Sequence, residues 1–333
     1  MTTHLIFTHD QLKKHPSLNQ TFNEGNMRFL PVVMITTFAI AACSQPDSLP
    51  GDELSYLPGG AQGVSLLGDT LYSSVQMTQL AEARADYVAN PDDADALIWY
   101  GRRTAYTGQY REAIRIYTEG IAKHPDDARM YRHRGHRYIS IRMLDEAIVD
   151  FEHAAALVEG QEDEVEPDGQ PNALNIPTST LQSNIWYHLG LARYLKKDFE
   201  GAIDAYHNGL ALRENPDGIV STSHWLYMSL RRLGRDDEAA EVLEPIHADM
   251  DVIENQVYHQ LLLMYKGEIT PESLLNPGDG SSENQATLYG VGAYFLYNDQ
   301  EEQAIEVFDR LMEGAGWAGF GYIAAEAELA TLR

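Results

Sequence analysis

A segment of 34 residues occurs three times in this sequence, and this repetition restricts the fold more than any other feature. The copies cover 94–127, 128–161 and 183–216. Each copy has a glycine, an alanine twelve residues later, and an aromatic residue four positions after the alanine. These residues are Gly101, Ala113 and Tyr117, then Gly135, Ala147 and Phe151, then Gly190, Ala202 and Tyr206. Because small residues let helices approach while the aromatic ring fills the space between them, the pattern predicts stacked helical hairpins.

The spacing resembles that of the tetratricopeptide repeat (TPR), and Trp186, Leu189 and Gly190 of the third copy carry the likeness most completely. Weaker copies follow near 220–250, 254–275 and 285–312. A stack of repeats needs capping elements at its ends, and 71–90 and 316–332 are predicted to be capping helices. The resemblance implies an all-α chain, with a TPR helical-hairpin solenoid (an α-α superhelix) over residues 66–333.

An acidic insert separates the second and third repeats at 159–180. Five acidic residues fall between Glu159 and Pro167, and proline and glycine follow them. A run of like charges beside proline and glycine is typical of a solvated segment. We therefore predict a solvated loop inserted on one face of the solenoid.

The only cysteine, Cys43, follows an apolar run from Phe29 to Ala42. This run is shorter than the ~20 residues of a spanning helix and fits the core of a signal peptide. The sequence Ile40-Ala41-Ala42-Cys43 resembles the lipobox of bacterial lipoproteins. That resemblance implies a signal peptide at 27–42 and lipid, including palmitate, on Cys43. The alternative is a cysteine buried in a core.

Three expectations follow from the lipobox. Residues 1–26 are polar and precede the signal, so we expect translation to start at Met27 and treat 1–26 as an upstream start-site artefact. Residues 43–65 are rich in proline, glycine and serine and are predicted to be a flexible tether. Ser44 after the cysteine, by resemblance to lipoprotein sorting in Gram-negative bacteria, implies an outer-membrane protein that faces the periplasm.

Several function classes are disfavoured. The formal charge of −26 argues against nucleic acid, because phosphate binding needs an excess of basic residues on one face. A single cysteine allows neither an intrachain disulfide nor a cysteine-based zinc site. His133 and His136 lie three residues apart, but the sequence marks no further ligand for a metal. No nucleophile-elbow, HExxH or P-loop motif is present, so we expect neither an enzyme nor a cofactor.

The first helix of each TPR hairpin lines a concave groove, so its inward positions are the candidate binding residues. They are Trp99, Arg102, Tyr106, Arg132, His133, His136, Tyr187, His188, Tyr194, His224, Trp225 and Arg231. Arginine pairs well with carboxylates, and tyrosine and tryptophan are common anchors at interfaces. The hypothesis is a groove for extended peptide segments that carry carboxylates. The alternative is that these residues pack between helices, with the arginines paired to nearby acidic residues.

A lipobox followed by TPRs resembles the NlpI-type outer-membrane lipoproteins. Segments 224–243, 265–275 and 289–308 are similar in order and spacing to the C-terminal half of that family. The resemblance implies an adaptor that binds periplasmic proteases, cell-wall remodelling enzymes or their substrates. Two alternatives stay open: an assembly lipoprotein of a pilus, secretion or outer-membrane complex, and a peptidoglycan-binding module. A homodimer also stays open.

Overall fold

The computed structural model describes residues 61–72, 79–275, 285–314 and 316–333. All of them belong to one compact unit, Ser48–Arg333. Cys43, the predicted signal peptide at 27–42, residues 1–26 and the tether up to residue 60 lie outside the described residues. The predictions made for those segments therefore stay predictions.

The described chain forms fourteen helices, twelve of which pair as six consecutive helical hairpins, with one single helix before them and one after. They are α1 (Gln79–Ala89), α2 (Ala94–Tyr106), α3 (Tyr110–Lys123), α4 (Ala128–Ser140), α5 (Leu144–Val158), α6 (Leu181–Leu195), α7 (Phe199–Leu210), α8 (Pro216–Arg232), α9 (Asp236–Leu243), α10 (Gln256–Tyr265), α11 (Pro271–Leu275), α12 (Gln285–Leu296), α13 (Glu301–Met312) and α14 (Phe320–Leu332). The predicted repeat starts at 94 and 128 coincide with the first residues of α2 and α4. The all-α TPR solenoid is confirmed.

Side-chain caps fix where several first helices begin. The carboxylate of Asp93 accepts a hydrogen bond from the backbone N–H of Ala96 at 2.8 Å. Thr180 and Ser183 form a reciprocal capping box at the start of α6. Such caps satisfy backbone N–H groups that a helix leaves without partners, and each stabilises its helix by about 1 kcal/mol.

The turn inside each helical hairpin contains one residue with positive φ. These residues are Gly108, Arg142, Lys197, Gly234, Gly267 and Asp299. Glycine adopts this conformation without steric cost, whereas arginine and lysine do so rarely. The side chains of Arg142 and Lys197 both form ion pairs with α14. Two of the three repeats that lack glycine at this turn therefore contribute a basic contact to the C-terminal helix.

The glycine–aromatic pairs of the repeat are in contact, as predicted. A methyl group added at Gly101, Gly135 or Gly190 would lie within 3.0 Å of the ring of Tyr117, Phe151 or Tyr206, respectively. Those three rings are at most 1% exposed. Close approach of the two helices in each hairpin therefore depends on the missing side chain.

Replacing Gly190 with alanine is expected to lower the free energy of unfolding by about 1–3 kcal/mol, because the new methyl would lie 2.5 Å from Cε1 of the buried Tyr206 ring. Urea unfolding followed by circular dichroism measures the change. Gly209→Ala is the matched control, since its methyl would meet only ordinary contacts from 3.4 Å outward. Alanine should be neutral or stabilising at that helical position. Equal effects of the two substitutions would contradict this packing.

A β-hairpin precedes the helices and was not predicted. Strands β1 (Ala61–Val64) and β2 (Thr70–Tyr72) pair antiparallel around a turn that contains Gly68 at φ +92°. The predictions were wrong here, since 61–65 had been assigned to the tether and 71–72 to a capping helix. The hairpin forms because Ala61 and Leu71 are buried against the solenoid and the Ser65 hydroxyl accepts from the N–H of Asp69 at 2.9 Å.

The last helix, α14, packs against α12 and α13 and also reaches the N-terminal half of the solenoid. Phe320 at its start lies 5.2 Å from the ring of His136 and 5.6 Å from that of His188. Further along, Glu326 pairs with Arg142 at 2.7 Å. The segment predicted as a capping helix therefore also occupies part of the inward-facing surface of the earlier repeats.

Candidate functional site

A cavity of about 240 Å³ lies between the first helices of three repeats and the acidic insert. Helices α2, α4 and α6 supply one wall, and residues 166–168 and 178–179 supply the other. Six of the twelve predicted groove residues line it: Arg102, Tyr106, Arg132, His133, His136 and His188. These six predicted residues therefore form one continuous surface across the first three repeats. The role of this surface in binding stays a prediction.

The acidic insert crosses this surface, and the prediction of a solvated loop fails only at Glu166 and Gly169, which are buried while the rest of 159–180 is at least partly exposed. Glu166 is only 9% exposed, and its Oε2 lies 3.0 Å from Nε of Arg132. The amide of Asn184 donates to the same oxygen at 3.1 Å. His133 lies beside the other carboxylate oxygen, with Nε2 at 3.8 Å from Oε1. Because a carboxylate is costly to bury without partners, Glu166 requires these basic and amide groups.

The backbone of the insert is bound by two further arginines. Arg102 Nη1 donates to the carbonyl oxygen of Pro167 at 2.7 Å, and Arg103 Nη1 donates to that of Gly169 at 2.9 Å. Gly169 lies against Tyr106, so that a methyl at this position would be 2.1 Å from the tyrosine hydroxyl oxygen. Residues 166–169 are thus held as an extended peptide would be, by one side chain and by main-chain carbonyls.

Trp99 supports the two arginines that bind the insert backbone. The guanidinium carbons of Arg102 and Arg103 lie 4.5 and 5.0 Å from the centre of its ring. Arginine over an aromatic face gains roughly 0.5–1 kcal/mol at a partly exposed site. Trp99 is half-buried and does not line the cavity itself. Its ring is instead a platform on which the guanidinium groups of Arg102 and Arg103 lie.

Arg137 also lines the cavity and was missed by the sequence prediction. Its guanidinium lies 5.3 Å from the ring centre of Tyr110, and within the described ranges it makes no ion pair with a carboxylate. Burial lowers the pKa of Arg137 from its ordinary value. The signal was available, because Arg137 lies one helical turn after His133 on α4. The TPR position rule, which takes the fifth, sixth, ninth, twelfth and thirteenth residues of each repeat as inward-facing, excluded Arg137 because it is the tenth.

The histidines of the cavity are held neutral. Burial, followed by the charge of Arg132, lowers the pKa of His133 and of His188 well below the ordinary value. Burial and then Arg137 do the same for the pKa of His136. Across the cavity, His136 and His188 lie 4.6 Å apart between ring centres. The positive charge of the cavity at neutral pH therefore comes from the arginines.

Acidification is expected to destabilise the fold below about pH 6.5, the ordinary pKa of histidine in an unfolded chain. His133 and His188 have lowered pKa values in the folded state, and burial lowers the pKa of His224 to about 3. The unfolded state therefore binds more protons, and each histidine removes up to ~1.4 kcal/mol of stability per pH unit.

Denaturant unfolding between pH 7.5 and pH 5 checks this dependence. Replacing the buried His224 with glutamine should reduce the slope. A free energy of unfolding that stays constant across this range would contradict the burial of neutral imidazoles.

Four predicted groove residues instead belong to the core, and the prediction of an accessible surface is wrong for Tyr187, Tyr194, His224 and Trp225. Tyr194 is 2% exposed, Trp225 1% and His224 fully buried. The indole N–H of Trp225 donates to the hydroxyl of Tyr187 at 2.9 Å. The physical reason is that α10 and α12 fold over this part of the inward face, so that the ring of Tyr289 lies 5.7 Å from that of Trp225.

Arg231, the last predicted groove residue, pairs within its own neighbourhood. Its Nε lies 2.8 Å from Asp236, and its guanidinium carbon lies 4.6 Å from the ring centre of Tyr297. The adjacent Arg232 pairs with Glu328 of α14. In this half of the solenoid, the alternative of arginines paired to nearby acidic residues describes the structure.

Among residues 61–72, 79–275, 285–314 and 316–333, no group of three histidine, cysteine or acidic side chains is arranged to hold a metal ion. In the same part of the chain, no helix combines the length and apolar character needed to cross a bilayer.

The fold defines a TPR solenoid whose inward face carries a cavity lined by three arginines and three carboxylates, namely Arg102, Arg132 and Arg137 with Glu166, Asp168 and Glu254. No protein-family model matches the chain, and no curated protein matches it. Among solved structures, it is similar to a tetratricopeptide repeat protein from Parabacteroides merdae, with 17% identity over 76% of this chain and 90% of that one, and a TM-score of 0.46.

Two further solved structures are similar to the chain at the same identity. One is YrrB, described as a TPR protein with an unusual peptide-binding site, with 17% identity over 69% of this chain and 91% of that one, and a TM-score of 0.39. The other is the MamA protein, with 17% identity over 66% of this chain and 90% of that one, and a TM-score of 0.38.

Proposed function

We propose that this protein is a non-enzymatic scaffold that binds extended, carboxylate-bearing segments of partner proteins in the cavity between α2, α4 and α6. The observation that carries the proposal is the contact already made there. Arg132 holds a carboxylate, and Arg102 and Arg103 hold the carbonyls of Pro167 and Gly169. Charge-assisted hydrogen bonds of this kind are the stronger ones in protein recognition.

The cavity has capacity beyond the contacts to the insert. Arg137 faces it without a carboxylate partner in the described chain, while the neighbouring histidines are neutral. An unpaired guanidinium in a partly desolvated site favours an incoming anion. A partner's acidic side chain or terminal carboxylate fits this requirement.

Anchoring at the membrane belongs to the same proposal. The lipobox-like sequence that ends at Cys43 supports a lipid anchor, and Ser44 supports an outer-membrane position facing the periplasm. Anchoring would place the cavity near periplasmic proteases or cell-wall enzymes, the partner classes that the NlpI-type resemblance implies. Labelling of cells with a palmitate analogue tests the anchor: the full chain should be labelled and Cys43→Ser should not. Equal labelling of both would overturn the anchor but not the binding cavity.

Capture from detergent-solubilised envelope tests the binding proposal. The full chain should retain periplasmic proteins that the double variant Arg102→Gln/Arg103→Gln does not retain. The matched control is Arg115→Gln/Lys196→Gln, which removes two basic groups from exposed positions elsewhere. Purified partners should then bind the wild-type chain in a salt-sensitive manner, because the contacts are ionic. Identical capture by both double variants would place binding outside the cavity.

A further inference from the structure

The four insert residues Glu166, Pro167, Asp168 and Gly169 make the contacts that a bound peptide would make. The Glu166 carboxylate meets Arg132 and Asn184. One residue later the Pro167 carbonyl meets Arg102, and three residues later the Gly169 carbonyl meets Arg103. The cavity therefore binds one acidic side chain and two main-chain carbonyls at a fixed spacing along the peptide.

The fourth position favours glycine over residues with a side chain. Gly169 is buried, and a methyl there would meet the Tyr106 hydroxyl oxygen at 2.1 Å and its ring carbons at 2.8–2.9 Å. Between the two ends, Pro167 and Asp168 are exposed, so that the groove makes few demands on their side chains. The chemistry of the site thus specifies the form Glu-x-x-Gly.

The insert is attached to the groove without an apolar anchor. Within 159–180, only Glu166 and Gly169 are buried, while Leu174 is 63% and Ile176 47% exposed. The rest of the arm is held by exposed polar contacts, such as those of Asn172 and Thr178 with Glu254. Exposed hydrogen bonds contribute little net stability, because water replaces them when they open. A segment with the same contacts could exchange for the insert one contact at a time.

The ends of the insert are held by contacts that do not involve its centre. The backbone N–H of Leu181 donates to the carbonyl of Glu164 at 2.9 Å, and Asp163 accepts from the N–H of Gln182 at 3.0 Å. These contacts close the loop at its base, next to α6. Release of residues 166–169 therefore needs no change in the helical hairpins.

We infer that the cavity between α2, α4 and α6 is a recognition site for partner segments of the form Glu-x-x-Gly. The chain's own insert occupies this site in cis, and a partner binds there by displacing the insert. This inference rests on the proposed function and specifies its ligand. A tethered segment competes at an effective concentration of about the millimolar order, so that a partner must bind through additional contacts or at high local concentration. Arg137 and the open cavity beside the insert supply such contacts.

The test uses a labelled peptide with the sequence of residues 163–171, DEVEPDGQP, titrated into the full chain and followed by fluorescence anisotropy. Glu166→Gln in the protein weakens the insert, so this variant should bind the peptide at least about tenfold more tightly than wild type does. Glu162→Gln removes one exposed charge from the same insert and should leave the affinity at the wild-type value.

Two altered peptides test the register on the Glu166→Gln protein. The peptide with glutamine at the position of Glu166, and the peptide with alanine at that of Gly169, should each bind at least about tenfold more weakly than the parent. Equal affinity of wild-type and Glu166→Gln protein, equal affinity of the glycine and alanine peptides, or no binding up to millimolar peptide would each overturn the inference. If the Arg102→Gln/Arg103→Gln variant still loses its envelope partner, the binding cavity stands and only its ligand has been misread.

Discussion

Replacing Arg142 with methionine is expected to lower the free energy of unfolding by about 3–5 kcal/mol, the cost of leaving a buried charge without its partner. The guanidinium of Arg142 makes two contacts with Glu326, at 2.7 and 3.0 Å, and donates to the carbonyl of Trp317 at 2.8 Å. Side-chain exposure is 3% for Arg142 and zero for Glu326. Glu326 also accepts from the backbone N–H of Leu66 at 2.6 Å, so the pair joins the β-hairpin, the second repeat and α14.

Two variants separate this ion pair from a general effect of losing an arginine. Arg115→Met removes an exposed arginine that pairs with Glu112, and should change stability by less than about 1 kcal/mol. The double variant Arg142→Met/Glu326→Gln removes both charges and keeps an acceptor for Leu66, and should recover part of the loss. Guanidinium chloride unfolding measures all three. A loss for Arg142→Met as small as that for Arg115→Met would show that α14 is not tied to the second repeat in this way.

Replacing Trp225 with alanine is expected to destabilise the protein by about 3–5 kcal/mol, because it removes a large buried side chain and leaves a cavity. Trp225 is 1% exposed, and its ring centre lies 5.1 Å from that of Tyr194 and 5.7 Å from that of Tyr289. Its indole N–H is bonded to the Tyr187 hydroxyl, which would lose this donor.

Trp99→Ala is the matched control, since Trp99 occupies the same repeat position in the first hairpin but is only half-buried. It should cost much less stability and should weaken binding, because the platform under Arg102 and Arg103 is lost. Thermal unfolding and envelope capture distinguish the two effects. If the Trp225→Ala protein unfolds like wild type but no longer binds its partner, Trp225 lies in an accessible groove and the account of its burial is wrong.

The repeats were predictable because their determinants are local. Glycine, alanine and an aromatic ring at fixed spacing act within one hairpin, so that the starts at 94 and 128 were placed to the residue. The inward positions of the first two repeats were predictable for the same reason. Arg102 and Arg132 face the cavity as the TPR position rule requires.

The burial of Trp225 could not be read from its position in the repeat. Its phase within the fourth repeat is that of Trp99, since the turn glycine Gly234 corresponds to Gly108. The difference comes from later helices, because α10 and α12 fold over this segment of the inward face, whereas the insert and the cavity lie beside Trp99. The covering of Trp225 by these helices depends on contacts between residues far apart in sequence.

The path of the insert was unpredictable for a related reason. A local run of acidic residues is indistinguishable from a solvated loop until the location of the basic residues is known. Glu166 meets Arg132 only because the hairpins on either side bring α4 and the base of the insert together. The β-hairpin at 61–72 depends in the same way on distant partners, Arg111 and Glu326.

Site-specific photocrosslinking in cells decides whether partners bind at the inward cavity. A benzophenone side chain is placed either at Glu254, which is exposed and lines the cavity, or at Trp186, which lines a separate groove of about 510 Å³ between α5 and α6 on the opposite face of α6. We expect crosslinks to partner proteins from position 254, and their loss when Arg102 and Arg103 are both replaced with glutamine. Crosslinks from position 186 with none from position 254 would contradict the cavity and favour an assembly role for the outer surface.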